Sequence, residues 1–189
     1  MMVKVIVPIA EGFEEIEAVS IIDVLRRAGI DVIIASLNEV MIVKGANGIS
    51  IQCDRSISGI VADEIDMIVL PGGWGGTKAL ANDVNVQKLL KEMDAKGKYI
   101  GAICAAPFAL DTAGVLKEGY TCYPSVENEI KTSGFRGAES AVVESGNVMT
   151  SRGPGTAICF ALAIVKKLVG KESYEGLKAG LLADYCTTI

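Results

Sequence analysis

"VKVIVPIAEGFEEIEAVSIIDVLRRAGIDVIIASL" (residues 3–37) decides the fold of this chain. The β-branched runs at residues 3–9 and 31–37 predict two buried strands. Between them, apolar residues recur at helical spacing from about residue 14 to 28, and Gly29 is the residue type that ends helices. A strand, a helix and a second strand in this order predict two parallel strands joined by a crossover helix.

The same alternation continues along the chain, so we predict one domain over residues 1–189. Its fold class is α/β: an open sandwich with a mostly parallel central sheet, helices on both faces and small β-hairpin additions. Ligands of such sheets bind beyond the carboxyl ends of the strands. Three segments follow predicted strands and are candidates for the ligand site: residues 10–17, 71–76 and 104–107. The other predicted elements are a hairpin at 39–54, a strand at 66–70, a helix at 82–96, a strand at 99–103, a helix from about 105 to 114, a hairpin at 141–151 and helices at 157–168 and 172–185.

Composition and charge narrow the classes of protein. Half of the 189 residues are apolar, enough for a substantial core. The 23 acidic and 18 basic residues give a net charge of −5, which argues against a nucleic-acid or anionic-membrane surface. No apolar run reaches the length of a membrane span, and the first residues become acidic too early for a secretory signal peptide. We therefore expect a soluble cytoplasmic protein with neither nucleic-acid nor membrane partners.

The cysteine and histidine content restricts the chemistry. The chain has no histidine and no CxxC pair, and its cysteines are Cys53, Cys104, Cys122, Cys159 and Cys186. This odd, scattered set argues against a zinc site and against a disulfide framework, so we expect five reduced thiols, as in cytosolic proteins. Without histidine, a Ser-His-Asp triad and a Cys-His dyad are excluded. Any general base must be Glu, Asp, Lys, Tyr, a water molecule or a thiolate.

"YIGAICAAPFAL" (residues 99–110) predicts a strand that turns at Cys104 into a helix beginning near Ala105. A thiol at the N-terminal end of a helix faces unpaired N–H groups, so we expect a depressed pKa for Cys104. The small residues Ala102, Ala105 and Ala106 permit the tight turn of a nucleophile elbow. The alternative is a cysteine that serves only as a small buried apolar residue.

The glycine-rich segment "PGGWGG" (residues 71–76) follows a predicted strand. It matches neither a Walker loop nor GxGxxG, since Lys78 occupies the last position of the latter. Glycines let backbone N–H groups approach an anion, so the amides of Gly73 and Trp74 could form an oxyanion pocket that faces Cys104. The alternative is a tight turn with no chemical role.

Four glutamates lie at the first strand end and in the first helical turn, in "EGFEEIE" (residues 11–17). Acidic residues in that position complement the helix dipole, which accounts for most of them. Glu17 also adjoins the apolar stripe of the helix, where burial would raise its pKa and let it hydrogen-bond to a thiolate. Helical spacing leaves Glu14 as an alternative for this role.

Four motifs in a fixed order span most of the chain: "EGFEEIEAV", "IVLPGG", "GAICAAP" and "TSRGPGTA". Together they resemble the ThiJ/PfpI superfamily, in the branch of the parkinsonism-associated protein deglycase and bacterial ThiJ-like proteins. The resemblance implies a flavodoxin-like three-layer sandwich of the class I glutamine amidotransferase-like type, a homodimer, and a reactive cysteine that oxidises readily to sulfinate. It implies that Cys104 is the nucleophile and Glu17 a protonated carboxyl in contact with it. The other implied residues are Gly72, Gly73 and Ala105, whose amides would form an oxyanion pocket, and Arg27 and Arg152, near the dimer interface.

Two residues depart from the pattern of the superfamily. Tyr123 stands where the deglycase branch often has a histidine, so we place it in the substrate pocket without a defined role. Ala105 stands where the protease branch has a histidine after the cysteine, which argues against peptidase activity.

Together with these residues, the resemblance implies a cysteine-dependent enzyme of the glyoxalase or deglycase type that needs neither a metal nor an organic cofactor. Cys104 would form a hemithioacetal with methylglyoxal, glyoxal or their early protein adducts, with Glu17 as the acid/base. The alternative is a redox-sensing, stress-protective chaperone whose Cys104 is oxidised to sulfinate. A third interpretation is a module that binds a small metabolite without chemistry.

Overall fold

In the computed structural model, which describes residues 2–187, seven strands form one sheet and two form a separate hairpin. The strands are β1 (Lys4–Ile9), β2 (Asp31–Ser36), β3 (Ile42–Lys44), β4 (Ser50–Gln52), β5 (Arg55–Ser56), β6 (Met67–Leu70), β7 (Tyr99–Ile103), β8 (Val142–Ser145) and β9 (Val148–Ser151). The order in the large sheet is β5-β2-β1-β6-β7-β9-β8. All its neighbours are parallel except β8 and β9, which confirms the predicted α/β class.

Helices cover both faces of this sheet. Those of the described residues are α1 (Glu15–Arg27), α2 (Trp74–Asn82), α3 (Val84–Ala95), α4 (Pro107–Ala113), α5 (Ala157–Leu168) and α6 (Lys171–Gly180). The chain steps from β1 to β2 in one direction and from β6 to β7 in the other, so right-handed crossovers place α1 and α3 on opposite faces. Accordingly, α1 packs on α5 and α5 on α6, while α2, α3 and α4 pack together. Within residues 2–187, no helix has the length and apolar character needed to cross a membrane.

The change of direction between β1 and β6 positions the functional region. All four residues of β6 and nearly all of β1 and β7 are buried, as expected for central parallel strands. The chain leaves β1 toward one face and β6 toward the other, which opens a crevice at the carboxyl ends of these strands. The turn at Cys104 follows the neighbouring strand β7 and lies at the same edge of the sheet.

The glycine-rich segment differs most from its sequence-based prediction. Residues 74–76 form the first turn of α2 rather than a loop. A Cβ on Gly76 would lie 2.9 Å from the backbone nitrogen of Phe13, so glycine lets this helix lie against the loop that follows β1. Asp83 then separates α2 from α3, because its carboxylate accepts two N–H groups of the first turn of α3 at 2.9 Å.

Two helix boundaries also differ from the prediction. The helix α4 begins at Pro107 rather than near Ala105, because residues 104–106 form a turn and proline fits the first helical position. The helix α6 ends at Gly180 rather than near residue 185, and Leu182 has a φ of 54°, which a right-handed helix does not contain. Both predicted hairpins are confirmed, and α5 has the predicted bounds.

Two of the five cysteines are bonded, which corrects the expectation of five reduced thiols. The disulfide joins Cys159 on α5 to Cys186 beyond α6, across a sequence separation of 27. The chain reverses after α6, where the Cys186 N–H donates to the Ala183 carbonyl at 3.0 Å, and this reversal brings Cys186 back to α5. The remaining cysteines, Cys53, Cys104 and Cys122, are free and buried. The expected cytoplasmic location stays a prediction.

Candidate active site

Cys104 lies in a strained turn directly after β7. Its φ is 64°, a left-handed conformation that residues other than glycine rarely adopt. The Cys104 N–H donates to the Ser151 carbonyl at 3.0 Å, and the Cys104 carbonyl accepts from the Tyr123 N–H at 2.9 Å. Both of its peptide groups are therefore held, which is how a strained backbone persists in a folded protein. The residue is 8% exposed, so its sulfur is sheltered but reachable.

Glu17 is the glutamate that enters the site. Its side chain is 0% exposed on the inner face of α1, and Oε2 accepts the Gly72 N–H at 2.7 Å. Glu14 instead caps α1, since its Oε2 accepts the Glu17 N–H at 2.8 Å. The choice that helical spacing left open between Glu14 and Glu17 is therefore decided by this cap. The other carboxyl oxygen of Glu17, Oε1, has no hydrogen-bond partner among the described residues.

Gly72 provides the space in which the carboxyl and the thiol meet. A Cβ on this glycine would lie 2.5 Å from Cys104 Cβ, 2.6 Å from Glu17 Oε2 and 3.0 Å from Cys104 Sγ. All three distances are shorter than ordinary contacts, so any larger residue would displace one group or both. The Gly72 amide, which was expected in the oxyanion pocket, instead donates its N–H to Glu17 Oε2.

Burial sets the proton affinity of Glu17. Desolvation raises the pKa of Glu17 to about 7, although hydrogen bonds from Cys104 and Gly72 lower it in part. The carboxyl is consequently close to half-protonated at neutral pH. A carboxyl with this pKa can both donate and accept a proton near pH 7, as a general acid/base must.

The thiol differs from its prediction. Burial raises the pKa of Cys104 to about 12, with further increases from the charge and the hydrogen bond of Glu17. The backbone N–H groups of Gly73 and Ala105 lower this pKa, but they do not outweigh burial beside an ionised Glu17. The first residue of α4 is Pro107, which has no N–H to offer, so the expected depression by the helix N-terminus is wrong.

Cys104 and Glu17 therefore have to be treated as a pair. Two negative charges in one buried corner exclude each other, so the pair releases its first proton as a unit. When Glu17 holds the remaining proton, its repulsion of the sulfur disappears and its hydroxyl can donate to the thiolate. The Gly73 and Ala105 amides then face a thiolate, or an oxyanion formed next to it.

A cavity of about 400 Å³ opens above Cys104. Its lining residues are Trp74, Cys104, Ala105, Tyr123, Ser125, Val126 and Glu129. The Trp74 ring is fixed by Phe108, with ring centroids 5.3 Å apart, and by Lys78, whose Nζ lies 5.1 Å from the ring centroid. The cavity is large enough for a small carbonyl compound or for the end of a side chain.

The structure brings most of the predicted site residues together. Cys104, Glu17, Gly72, Gly73 and Ala105 meet at the carboxyl ends of the strands, and the side chains of Trp74 and Tyr123 line the cavity. The two arginines lie outside it. Arg27 pairs with Asp23 at 2.8 Å near the exposed end of α1, and Arg152 lines a neighbouring cavity.

Sequence reasoning missed the far wall of the cavity. Ser125, with a φ of 78°, precedes a 3-10 turn at Val126–Glu129 that supplies Val126 and Glu129 to the lining. No periodicity marks so short a turn. Its one signal is its place directly after Tyr123 and Pro124.

Comparison with known proteins identifies the family. The model of the DJ-1/PfpI family matches residues 3–167. The chain belongs to the DJ-1/PfpI family. The family contains a Caenorhabditis elegans relative named glutathione-independent glyoxalase DJR-1.2, which is 39% identical over 167 residues, covering 88% of this chain and 89% of the relative.

Solved structures of the DJ-1/PfpI family share the fold. Drosophila melanogaster DJ-1beta is 41% identical, with a TM-score of 0.92 over 96% of this chain and 98% of that one. Toxoplasma gondii DJ-1, described as oxidized, is 40% identical, with a TM-score of 0.88 over 95% of this chain and 98% of that one. The predicted membership of the ThiJ/PfpI superfamily and the predicted fold are thereby confirmed.

Proposed function

We propose that this chain converts methylglyoxal, glyoxal or their early protein adducts through a covalent Cys104 intermediate, with Glu17 as the acid/base. The observation that carries the proposal is the buried carboxyl of Glu17, whose pKa is raised to about 7 beside the Cys104 thiol. The relative named as a glutathione-independent glyoxalase supports the same chemistry. The reaction draws on no metal and no organic cofactor.

The first step joins the thiol to the aldehyde. The Cys104 thiolate attacks the aldehyde carbon of methylglyoxal to form a C–S bond, and the carbonyl oxygen takes the proton of Glu17 to give a hemithioacetal. The N–H groups of Gly73 and Ala105, which face the sulfur, are placed to stabilise the oxyanion that forms during the attack.

The second step moves a proton within the substrate. The Glu17 carboxylate removes the proton from the carbon bonded to sulfur, which gives an enediol, and a proton returns to the neighbouring carbon. The former aldehyde carbon is thereby oxidised to a thioester and the former ketone carbon reduced to an alcohol. Water then cleaves the C–S bond, which releases lactate and restores the thiol; glyoxal gives glycolate in the same way.

Lactate formation from methylglyoxal by the purified protein tests this proposal. We expect Cys104→Ser to lower the rate at least about 10³-fold, because a serine hydroxyl loses its proton far less readily than a thiol and is the weaker nucleophile. Glu17→Gln should also abolish turnover, since an amide cannot carry the proton. Cys53→Ala is the matched control, because Cys53 is also buried and free but lies outside the cavity. Full activity of either site variant would contradict the mechanism.

A redox sensor is the second candidate function. The amides of Gly73 and Ala105 and a protonated Glu17 are the donors that a cysteine sulfinate needs, and the oxidized Toxoplasma gondii relative favours this chemistry. Intact-mass analysis under mild peroxide separates the two functions. Addition of two oxygens at Cys104 alone, without lactate formation, would favour the sensor, whereas unselective oxidation of the free cysteines would contradict it.

A homodimer is the proposed assembly. Its support is a group of exposed apolar side chains on α1 and on the hairpin, namely Ile16, Val19, Ile42 and Ile49. The hairpin is fixed to α1, because Glu15 accepts the N–H groups of Asn47 at 2.6 Å and Ile49 at 3.3 Å. Sedimentation equilibrium tests the assembly: a monomer at micromolar concentration would contradict it.

A further inference from the structure

Tyr123 forms a wall between two cavities of different charge. One is the cavity of about 400 Å³ above Cys104, and the other has a volume of about 210 Å³. Tyr123 lines both of them, and Arg152 lines only the smaller one. A Cβ on Gly153 would lie 3.2 Å from Tyr123 Cδ2, so the ring rests directly on the loop that carries Arg152. The aromatic ring of Tyr123 therefore separates the Cys104 cavity from the cavity that Arg152 lines.

The charges around Cys104 are negative. Among the described residues that line its cavity, Glu129 is the carboxylate and there is no lysine or arginine. Glu17 lies beneath the thiol and adds a second negative charge whenever it loses its proton. Lys78 is held over the Trp74 ring, with Nζ 5.1 Å from the ring centroid, and does not line the cavity. An anion that approaches Cys104 meets repulsion, and a neutral or cationic molecule does not.

We propose that Glu129 and Tyr123 determine the charge of the molecules that reach Cys104. Glu129 repels anions such as α-oxo carboxylates, and the Tyr123 ring keeps them from reaching Arg152. The site therefore selects neutral aldehydes and carbonyl adducts that retain a positive charge. The statement about substrates rests on the function proposed above. The effects of Tyr123 and Glu129 do not, because they act on any reagent that attacks the Cys104 thiol.

Alkylation of Cys104 by two reagents of similar size isolates the effect of charge. Iodoacetamide is neutral and iodoacetate is an anion, and mass spectrometry of the Cys104 peptide gives both rates. The ratio of the two rates cancels the thiolate fraction, which is the same for both reagents. We expect the protein to prefer iodoacetamide more strongly than a free thiol does, and Glu129→Gln to reduce the ratio about fivefold. Glu127→Gln is the matched control, because Glu127 belongs to the same turn but faces Cys122, and it should leave the ratio unchanged within about twofold.

The wall is tested by a double variant. Tyr123→Ala joins the two cavities and should lower the ratio further, because Arg152 then attracts iodoacetate. Tyr123→Ala combined with Arg152→Gln should restore it, and Tyr123→Phe should keep the original ratio because the ring remains. These substitutions lie at partly or fully exposed positions, and circular dichroism verifies that each variant folds.

The outcomes separate this proposal from the proposed function. An unchanged ratio in Glu129→Gln would overturn the role of Glu129, and an equal effect of Tyr123→Ala with and without Arg152 would overturn the wall. A second ratio compares turnover of a neutral substrate, methylglyoxal, with turnover of an anion, glyoxylate. Glu129→Gln should reduce this ratio, as it reduces the alkylation ratio. If methylglyoxal is not turned over at all, the proposed function fails, while the alkylation ratios still decide the charge selection.

Discussion

The turn at Cys104 and the Cys159–Cys186 bond both bury sulfur, yet the chain around them differs. At Cys104 the backbone is strained, with a φ of 64°, and amides and a carboxyl converge on the thiol. Cys159 lies within a regular helix, and its bond to Cys186 ties the segment after α6 to that helix. Strain of the first kind costs about 1–3 kcal/mol, whereas a cross-link adds stability. Burial alone therefore does not decide what a cysteine does; the backbone and the polar groups around it do.

The largest expected effect comes from filling the space between the Cys104 thiol and the Glu17 carboxyl, which should disrupt the reactive turn. In Gly72→Ala, the new methyl group would occupy the space 2.5 Å from Cys104 Cβ and 2.6 Å from Glu17 Oε2. Moving the Glu17 carboxyl away from Cys104 deprives the thiol of its acid/base and should lower methylglyoxal turnover about 10³-fold, equivalent to about 4 kcal/mol. Steady-state kinetics and the alkylation rate of Cys104 measure the loss.

Gly176 provides the matched control for this substitution. A Cβ there meets nothing within 4 Å, and the residue is exposed within α6. Gly176→Ala should retain full turnover and gain about 0.5–1 kcal/mol of stability, because alanine has the higher helix propensity. Equal activity of the two alanine variants would show that Gly72 does not position the reactive pair.

Removing the Cys159–Cys186 bond should lower the stability of the fold and leave the turn at Cys104 unchanged. The loop between Cys159 and Cys186 spans 27 residues, and closing a loop of this length stabilises a fold by about 3 to 4 kcal/mol. The double variant Cys159→Ser and Cys186→Ser should lose this amount in denaturant unfolding, and the alkylation rate of Cys104 should stay the same.

A reducing agent distinguishes the bond from the packing of the two side chains. The unmodified chain and Cys53→Ala should both lose stability when a phosphine reductant is added, because both keep the bond. The double variant should not respond. Loss of stability in reductant by the double variant would refute this assignment of the stability to the cross-link.

The two regions were not equally accessible from the sequence. The β-branched runs and the helical spacing between them predict the sheet and its order of elements, and a small-residue turn after a buried strand marks Cys104. Those signals are local, so they can be seen in one chain. The pairing of Cys159 with Cys186 depends on the reversal of the chain after α6, for which the sequence contains no periodic signal.

Energetic balances were harder to predict than positions. The spacing of α1 allows Glu14 or Glu17 to face inward, and only the capping bond between them settles the choice. The expected depression of the Cys104 pKa counted the amides and omitted burial, which dominates at a residue that is 8% exposed. The place of Glu129 in the cavity lining could not be predicted, because its turn lies beside Cys104 through contacts between residues distant in sequence.

The smallest expected effect is on the pH dependence of stability. It arises because the ionisation of Glu17, within the reactive turn, changes the free energy of unfolding of the whole chain. Burial raises its pKa to about 7 in the folded chain, from an ordinary value of 4.5 that the unfolded chain keeps. Between these values the folded state binds more protons than the unfolded state, so stability falls as the pH rises. The contribution is fully present below about pH 4.5 and is lost as the pH approaches and passes 7, a difference of about 3 kcal/mol.

Glu17→Gln removes this dependence, because an amide does not titrate and can still accept the Gly72 N–H. Urea unfolding at pH 5 and pH 8 gives the stability of both proteins, and the difference between them cancels every other titrating group. We expect the variant to be the more stable of the two at pH 8, with most of this advantage gone at pH 5. If the stabilities of the two proteins changed with pH in parallel, Glu17 would keep an ordinary pKa. The Cys104 turn would then differ from the Cys159–Cys186 bond only in its backbone conformation.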